Sequence, residues 1–418
     1  MRRALLAIIS ITTIALSAVA QKECPQLDYR SQLLSNDPTI AKREAEIENF
    51  IAKRSLIDFN NANREHEAFI PETINIPVVV HVVIGSAQQN ISDAQIKSQI
   101  DVLNRDFGGL NDDKVKVPSY FSSFFTDCRI NFVLAKTDPT GKATNGIVRK
   151  QTSIQYFSFD DRVKSSANGG DDSWDANQYL NIWVCNMVGG ILGYASVPGG
   201  PVENDGVVIN AMVFGTINTI APFNKGRTAT HEIGHWLNLK HIWGDGFCGD
   251  DKVDDTPKQE RANRGCPGGE KITCGTSVHG DMHMNFMDLT DDECMYMFTH
   301  GQKERMRSLF AAGGPRYSIL SSNGLKENGH PSEATLPGAA NRAIVLYPIP
   351  ATDQLQIRIT AESYIGRMVV VYNQLGQIVL TQKMSKGIEP VNISGLRAGN
   401  YYVKVEGTKT LMAKFVKL

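Results

Sequence analysis

The segment HEIGHWLNLKH, residues 231–241, limits the fold of this chain more than any other stretch of the sequence. His231 and His235 are four residues apart, so on an α-helix they lie on one face, about 6 Å from each other. His241 follows much later, roughly 15 Å along a helix axis from His231. Because a zinc ion holds its nitrogen ligands at about 2.0–2.1 Å, the three imidazoles can meet only if the helix ends after His235 and the chain turns back.

Asn238 is the residue expected to make this turn, because asparagine tolerates left-handed backbone angles better than most residues with a side chain. The chain has 9 histidines among 418 residues, so an HExxH segment with a third histidine at a fixed offset is very rare by chance. A helix with solvated or core histidines is the alternative, and the pattern strongly favours a metal site. We therefore predict that His231, His235 and His241 bind one zinc ion.

Three imidazole ligands indicate a catalytic site, because a closed structural zinc site uses four protein ligands. Zinc with an open position lowers the pKa of water there toward about 7 and polarises a carbonyl group beside it. Glu232 follows the first ligand, so its carboxylate can face the same position without binding the metal. We predict that Glu232 is the general base and acid in the hydrolysis of peptide bonds.

The first residues have the pattern of a secretory signal peptide. Arg2 and Arg3 precede an apolar run over residues 4–16, and the small residues 18–20 form a cleavage site. The run is short for a bilayer span, and no other stretch is long enough, so we expect no stable membrane span. The net charge is −1 and the pI is near 6.8, which indicates no nucleic-acid partner.

The length and the local patterns predict two folded domains after this signal. Residues 52–73 are polar and are expected to be irregular. After them, strands near 76–84, 180–184 and 206–213, a helix at 92–107 and the zinc helix from Thr228 indicate an α/β domain. Ser, Asn, Gly and Pro then collect at 321–342, before short alternating strands that predict a small immunoglobulin-like β-sandwich. The predicted boundaries are a signal peptide at 1–20, a pro-segment at 21–53, a catalytic domain at 54–322, a linker at 323–341 and the sandwich at 342–418.

The seven cysteines are unevenly distributed. Four lie within 47 residues just after the zinc motif, and their three possible pairings are not distinguished by the residues alone. These four are Cys248, Cys266, Cys274 and Cys294. The pairing of Cys128 and Cys185 stays open, and so does the role of the early Cys24.

A family resemblance appears when the zinc motif is read with the segments around it. HExxHxxxxxH with a downstream methionine is the pattern of the metzincin metallopeptidases. The longer segments HEIGHWLNLKHIWGD and NFMDLTDDECMYMFTHGQKERM resemble the pappalysin family within that clan. The resemblance implies a metzincin-type zincin domain, with a mixed sheet and an active-site helix, that acts as a zinc endopeptidase on proteins or peptides. It further implies that Met287 lies in a tight turn beneath the metal.

The same resemblance implies two disulfides, Cys248–Cys274 and Cys266–Cys294. It also implies a calcium site in GDDKVDDTP, residues 249–257, with Asp251 and the Thr256 carbonyl as ligands and Asp254 as a third candidate. A solvated acidic loop is the alternative to the calcium site.

Three further expectations about substrate binding come from the resemblance. In LGYASV, residues Gly193, Tyr194 and Ala195 are similar to the edge strand along which metzincins bind an extended substrate. Asp292 matches the base of the pocket for the residue after the scissile bond, which implies cleavage before Arg or Lys; a solvated surface aspartate is the alternative. Leu289 departs from the family, because relatives commonly have there a tyrosine that holds the tetrahedral intermediate, and the sequence names no substitute.

Cys24 precedes a segment that resembles a pro-peptide. A thiolate is a better zinc ligand than water, and some pappalysin relatives are kept latent in this way, so we predict that Cys24 binds the zinc in the latent form. The alternative is that Cys24 pairs with Cys128 or Cys185 or has no role.

Activation then requires loss of the segment that carries Cys24. The predicted preference for a basic residue points to the bond before Arg54, in the stretch expected to be irregular. Arg43 and Arg64 are weaker candidates.

The carboxyl-terminal segments YPIPATDQLQI, NQLGQIVL, NISGLRAGNYYVKVEG and KFVKL resemble the sorting domain of type IX secretion. The resemblance implies export through the periplasm by the type IX machinery, to the medium or the cell surface. A general sandwich that binds carbohydrate or protein is the alternative.

Two other functions are alternatives to a secreted zinc endopeptidase. A zinc-binding secreted adhesin with a degenerate protease site is suggested by Leu289, but the intact Glu232 argues against it. The second alternative is another class of zincin, in which a downstream Glu or Asp is the third zinc ligand. His241 makes such a ligand unnecessary.

Overall fold

The computed structural model describes residues 24–60, 70–275, 277–326, 344–347, 351–359, 365–373, 377–385, 388–405 and 411–417. The chain falls into two compact units, residues 1–333 and residues 334–418. The predicted signal peptide and Arg64 lie outside the described residues. Among the described helices, none is both long enough and apolar enough to cross a membrane.

The first unit alternates helices and strands. Its described elements are α1 (Gln26–Asn36), α2 (Thr39–Asn60), β1 (Ile74–Ile84), α3 (Asp93–Phe107), β2 (Ile130–Leu134), β3 (Ile147–Gln151), β4 (Leu180–Cys185), β5 (Gly193–Ala195), β6 (Val207–Asn210), α4 (Arg227–Trp236) and α5 (His300–Ser308). The helix and strands expected near residues 76–107, 180–184 and 206–213 are confirmed within a few residues.

The strands form one mixed sheet with the order β2-β1-β4-β6-β5, and β3 also pairs with β1. Strands β2 and β3 pair in succession with the two halves of β1, and these pairings and those of β4 with β1 and β6 are parallel. Strand β5 is the exception, because it lies at the edge of the sheet and runs antiparallel to β6.

The continuous apolar run of β1 is explained by burial of both faces of the sheet. Val78, Val80 and Val82 lie in the core that includes side chains of α3 and α4, whereas Val79 and Val83 lie in clusters on the other face, and all five are 0% exposed. Helix α3 is capped by Ser92, whose hydroxyl accepts a hydrogen bond from the Gln95 backbone N–H at 3.1 Å. The predicted α/β class is therefore confirmed.

Helix α2 is longer than the sequence interpretation allowed. The polar stretch from residue 52 was expected to be irregular, but α2 continues to Asn60, so that expectation is wrong over residues 52–60. No Gly or Pro interrupts the chain between Pro38 and Pro71, and each residue added to an existing helix gains a hydrogen bond at little further cost. Arg54 consequently lies inside a helix and is half-buried.

The second unit is built only of strands in the part described. These are β7 (Ile344–Tyr347), β8 (Gln354–Ile359), β9 (Met368–Tyr372), β10 (Ile378–Lys383), β11 (Ile388–Asn392), β12 (Gly399–Val405) and β13 (Leu411–Lys417). They form two antiparallel sheets, β10-β9-β12-β13 and β11-β8-β7. Leu355 and Ile357 of one sheet share a core with Val371 and Val403 of the other, as the predicted immunoglobulin-like sandwich requires.

Candidate active site

Helix α4 is anchored at its amino end by buried charge. The Arg227 guanidinium donates to both carboxylate oxygens of Asp113, at 2.6 and 2.7 Å, and it also contacts Asp106. Asp106 in turn accepts a hydrogen bond from the Thr230 hydroxyl at 2.8 Å. Burial raises the pKa of Asp106 to about 6, although the charge of Arg227 opposes this shift. These contacts fix the first turn of the helix that carries the histidines.

The chain reverses direction directly after α4, as the spacing of the histidines predicted. The helix ends at Trp236, and Asn238 has a φ of 66°, in the left-handed region. The Asn238 side chain donates to Glu48 Oε1 at 3.0 Å, and the Leu239 N–H donates to the Gly234 carbonyl at 2.9 Å. The turn at Asn238 is thus confirmed, and it brings His241 back to the helix.

The three imidazoles converge on one point. The Nε2 atom of His235 lies 3.1 Å from that of His231 and 3.2 Å from that of His241. All three side chains are buried, with 2% exposure or less.

The opposite nitrogen of each ring is held by an oxygen atom. Nδ1 lies 2.7 Å from the Phe286 carbonyl in His231, 2.9 Å from the Leu239 carbonyl in His235 and 2.5 Å from Asp245 Oδ1 in His241. Carbonyl and carboxylate oxygens only accept, so each Nδ1 carries the proton and each Nε2 presents a lone pair. Three lone pairs so close together repel one another unless they share a cation, and neutral imidazole nitrogens suit zinc. The residues therefore fit the expected metal.

Glu232 lies in the same cleft, beneath the edge strand. Its side chain is 1% exposed, and a Cβ atom added at Gly193 would lie 2.9 Å from Glu232 Cγ. Glycine at position 193 therefore lets strand β5 pass directly over this carboxylate.

Met287 lies in a tight turn below helix α4. The Asp288 N–H donates to the Asn285 carbonyl at 3.0 Å, and the Asn285 side chain accepts from the Met287 N–H at 2.9 Å. Met287 is fully buried, and a Cβ atom added at Gly234 would collide with its sulfur atom. The glycine inside the HEIGH motif thus makes room for the methionine.

The start of the described chain crosses this cleft. Cys24 Sγ lies 3.7 Å from His235 Nε2, and the ligand atoms of Cys24 and the three histidines all lie within 4.8 Å of one another. Two residues later, the Gln26 amide donates to the Ala195 carbonyl at 3.1 Å and accepts from the Ala195 N–H at 3.3 Å. Sequence reasoning missed Gln26, because no local pattern marks a glutamine that bonds a strand 169 residues away.

Asp292 lies at the amino end of α4. Its Oδ2 atom accepts hydrogen bonds from the backbone N–H groups of Lys225 at 2.8 Å and Arg227 at 3.2 Å. The residue is 0% exposed, so the alternative of a solvated surface aspartate is wrong. A carboxylate at this end of a helix also interacts favourably with the helix dipole.

The two disulfides implied by the resemblance are present, Cys248–Cys274 and Cys266–Cys294. Cys128 and Cys185 are buried thiols, and burial raises the pKa of each well above its ordinary value. The alternative in which Cys24 pairs with one of them does not occur in this structure.

The proposed calcium residues are only partly brought together. Asp251 is 6% exposed and accepts from the Thr256 hydroxyl at 2.8 Å and the Val253 N–H at 3.1 Å. Asp254 is exposed. In the part of the chain that the structure describes, two clusters of metal-capable side chains converge, and neither contains Asp251 or Asp254. Calcium binding therefore stays a prediction.

Leu289 is 5% exposed and lines the cleft. A cavity of about 410 Å³ lies between Leu289, Cys24, His241 and the side chains of Arg261 and Arg264. Leu289 has no hydroxyl group to donate a hydrogen bond into this cavity, whereas the guanidinium groups of Arg261 and Arg264 are hydrogen-bond donors.

Comparison with known proteins gives a consistent result. A metallopeptidase family model described as pregnancy-associated plasma protein-A matches residues 164–311, and a model of the secretion system C-terminal sorting domain matches residues 345–417. An extracellular metalloprotease of Pyricularia oryzae is 34% identical, over 57% of this chain and 75% of that protein.

Two solved structures from Tannerella forsythia are also similar. Mature mirolysin in complex with a cleaved peptide is 50% identical, with a TM-score of 0.58 over 59% of this chain and 95% of that one. A promirolysin mutant is 45% identical, with a TM-score of 0.64 over 71% of this chain and 97% of that one.

The buried Asp251 generates a prediction about pH. Burial raises its pKa to about 7, from 3.8 for an ordinary aspartate, although bonds from Thr256 and Val253 oppose this shift. The folded chain therefore holds a proton that the unfolded chain lacks between these pH values, so its free energy of unfolding falls as the pH rises from about 4 to about 7. Because asparagine does not titrate, we expect the free energy of unfolding of Asp251→Asn not to show this decrease, which in the wild type amounts to about 4 kcal/mol at most. Urea denaturation of both proteins at about pH 4.5 and about pH 7.5 measures the difference.

The same variant tests the calcium ligand. If Asp251 binds calcium, millimolar Ca²⁺ raises the urea midpoint of the wild type at the higher pH and leaves that of Asp251→Asn unchanged. Asp250→Asn, a change at an exposed neighbour, should respond to calcium like the wild type. An equal response of wild type and Asp251→Asn would contradict the assignment.

Proposed function

The chain belongs to the pappalysin family and is a secreted metalloendopeptidase, and from that premise we propose that His231, His235 and His241 hold one zinc ion while Glu232 acts as general base and acid. The observation that carries the proposal is the convergence of three Nε2 lone pairs, each fixed by a hydrogen bond from its Nδ1. The family membership and the intact, buried Glu232 leave no observation that favours an adhesin.

The chain supplies binding and proton transfer. Zinc, when bound, polarises the scissile carbonyl and acidifies water beside it. The Glu232 carboxylate takes a proton from the attacking water and passes it to the leaving amine nitrogen. Ala195 presents its backbone N–H and carbonyl at the edge of the sheet, so an extended substrate binds there as an added strand.

Replacing Glu232 by Ala tests this role. Because glutamate is not a ligand, we expect Glu232→Ala to bind zinc as the wild type does and to lose about 10²–10⁴-fold in kcat/KM. Casein cleavage with and without o-phenanthroline, together with elemental analysis for zinc, checks both expectations. Glu304→Ala, a change at an exposed residue of α5, serves as the matched control. Wild-type cleavage by Glu232→Ala would refute the mechanism.

Specificity for a basic residue is proposed to come from Asp292. The support is the placement of this residue: Asp292 is a fully buried carboxylate at the amino end of α4, where its Oδ2 accepts hydrogen bonds from the backbone of Lys225 and Arg227. A guanidinium bound at a carboxylate gains a charge-assisted, bidentate pair that an ammonium cannot match. The enzyme should therefore cut before Arg, and less often before Lys.

Mass spectrometry of a digested proteome decides the specificity. We expect strong enrichment of Arg directly after the cut sites, and at least about tenfold less of it with Asp292→Asn, since the charge is lost. The amide oxygen of the variant can still accept from the backbone N–H groups of Lys225 and Arg227, so these two hydrogen bonds are retained. Asp291→Asn should keep the wild-type pattern. Cut sites that show no enrichment of basic residues directly after the cleaved bond would contradict the role assigned to Asp292.

Latency is proposed to come from Cys24 as a fourth metal ligand. The support is the distance of 3.7 Å between Cys24 Sγ and His235 Nε2, at the open side of the histidine cluster. Loss of this segment is then the activating step. Because Arg54 lies inside α2, the bond before it is protected, and Arg64, which follows the end of α2 in the sequence, becomes the better candidate.

We expect Cys24→Ala to mature faster and to cleave peptides without a lag, because the fourth ligand is gone. Glu232→Ala should accumulate at full pro-form length. Ser35→Ala, on the exposed side of α1, should keep normal latency. Amino-terminal sequencing of the matured wild type locates the cut. Normal latency in Cys24→Ala would contradict the switch, and a mature start far from Arg64 would contradict the site.

The carboxyl-terminal unit matches a secretion sorting domain, so the chain is secreted or held at the cell surface. Recognition of this unit by the type IX machinery is part of the proposal and follows from the same match.

A further inference from the structure

A second residue of the proposed pro-segment fills a polar pocket away from the metal. The Tyr29 ring is 2% exposed and lies 4.8 Å, centroid to centroid, from the ring of Tyr194. Its hydroxyl donates a hydrogen bond to Asp161 Oδ2 at 2.9 Å. We call the cavity that holds this side chain the Asp161 pocket, and its walls are Tyr194, Asp161, Lys164 and Asn204.

The walls of the Asp161 pocket hold one another in place without Tyr29. Lys164 Nζ lies 2.9 Å from Asp161 Oδ1 and donates to the Asn204 carbonyl at 2.8 Å. The Asn204 amide donates to Asp161 Oδ2 at 3.1 Å, and the Tyr194 hydroxyl donates to Oδ1 at 3.2 Å. These four residues lie outside the proposed pro-segment, so their contacts with one another do not require Tyr29.

The Asp161 pocket adjoins strand β5, the edge strand along which substrate is proposed to bind. Tyr194 is the middle residue of β5, whose neighbour Ala195 bonds Gln26, and Gly193 faces Glu232 of α4. Alternate residues of a strand point to opposite faces, so Tyr194 carries the pocket on the face away from α4. An extended chain spans about 3.3–3.6 Å per residue, so a side chain a few residues from the scissile bond reaches this wall.

We propose that the Asp161 pocket, vacated when the pro-segment leaves, is a subsite of the mature enzyme that selects a tyrosine side chain of the substrate. This inference rests on the proposed function, since it requires both release of the segment and peptide substrates bound along β5. Tyr29 occupies the pocket in the latent chain as a substrate tyrosine does in the mature one.

The chemistry of the walls selects a phenol. Asp161 and the buried ammonium of Lys164 form an ion pair at 2.9 Å, so the pocket offers a charged substrate side chain no countercharge that is not already paired, and such a side chain would lose its hydration there without compensation. Phenylalanine fits the aromatic wall but cannot donate the hydroxyl hydrogen bond to Asp161 Oδ2, which among the described residues then keeps only the Asn204 amide as a side-chain donor, and a hydrogen bond to a charged, partly buried carboxylate contributes more than a neutral one. Tyrosine supplies both the ring and the donor.

Cleavage of a peptide series by the matured enzyme tests the subsite. Each peptide has one constant scissile bond, and Tyr, Phe or Ala is placed in turn at every position within five residues of it. At one position we expect kcat/KM for Tyr to exceed that for Phe by about tenfold, through KM, as loss of one bond to a charged group predicts. Asp161→Asn should reduce this ratio toward one, and Asp172→Asn, whose carboxyl bonds Ser166 instead, should retain it.

Binding of a small phenol to an inactive variant tests the pocket independently of peptide cleavage. In the full-length Glu232→Ala chain, Tyr29→Ala leaves a space the size of the removed side chain, and p-cresol reproduces that side chain. We expect p-cresol to raise the melting temperature of this double variant and toluene to do so far less. Adding Asp161→Asn should remove the difference between the two compounds.

The results distinguish failure of the subsite proposal from failure of the proposed function. Equal cleavage of Tyr and Phe peptides at every position overturns the subsite while leaving the protease intact, and so does equal stabilisation by p-cresol and toluene. Failure to cleave any peptide contradicts the proposed function itself, and the subsite with it.

Discussion

The hydrogen bonds from the three Nδ1 atoms are the constraint on which the rest of the site depends. Each ties a histidine to a different part of the chain: the Met287 turn through the Phe286 carbonyl, the reversal after α4 through the Leu239 carbonyl, and the following loop through Asp245. The bonds set the tautomer and the ring orientation together, so all three Nε2 lone pairs meet. A metal bound there therefore stabilises the helix, the turn and the loop as one unit.

The amino end of the same helix carries a second constraint. Arg227 is buried among Asp106, Asp113 and Asp292, and the Asp292 carboxylate also accepts two backbone bonds at this end. Removing one member of such a group leaves an uncompensated buried charge, which is far costlier than the loss of a surface ion pair. The charge proposed to select a basic substrate residue is thus also part of what positions the metal-binding helix. Under the proposed specificity, Asp292 would serve both substrate selection and the stability of α4.

The amino-terminal segment contacts three separate features of the cleft within six residues. Cys24 meets the histidines, the Gln26 amide meets both backbone groups of Ala195, and the Tyr29 ring meets Tyr194 and Asp161. A metal ligand, a peptide-like amide and a side chain in a pocket are the three kinds of contact that a bound substrate makes with a peptidase. In the latency proposed above, a segment that occupies all three at once would exclude substrate more firmly than the thiol alone.

The sequence by itself determined the parts of this protein that depend on short-range spacing. The four-residue interval from His231 to His235 and the turn residue Asn238 required a helix followed by a reversal, because a metal site leaves no other geometry. The strands and helix α3 followed from periodicity, while the disulfides and Met287 came from resemblance to a family. The end of α2 was misjudged, since polar residues without Gly or Pro are as compatible with an exposed helix as with a loop.

Only the tertiary structure decided which distant residues meet. Gln26 forms a hydrogen bond with Ala195, 169 residues away in the sequence, and Tyr29 forms one with Asp161, 132 residues away. Asp292 has the same local pattern in the sequence whether it faces solvent or caps α4. Contacts of this kind depend on the sheet order and on the path of the chain across its edge, and no local pattern of residues encodes either. Eleven residues were therefore enough to predict the metal site, whereas the surroundings proposed to restrain the enzyme and to select its substrates were set by the folding of the whole unit.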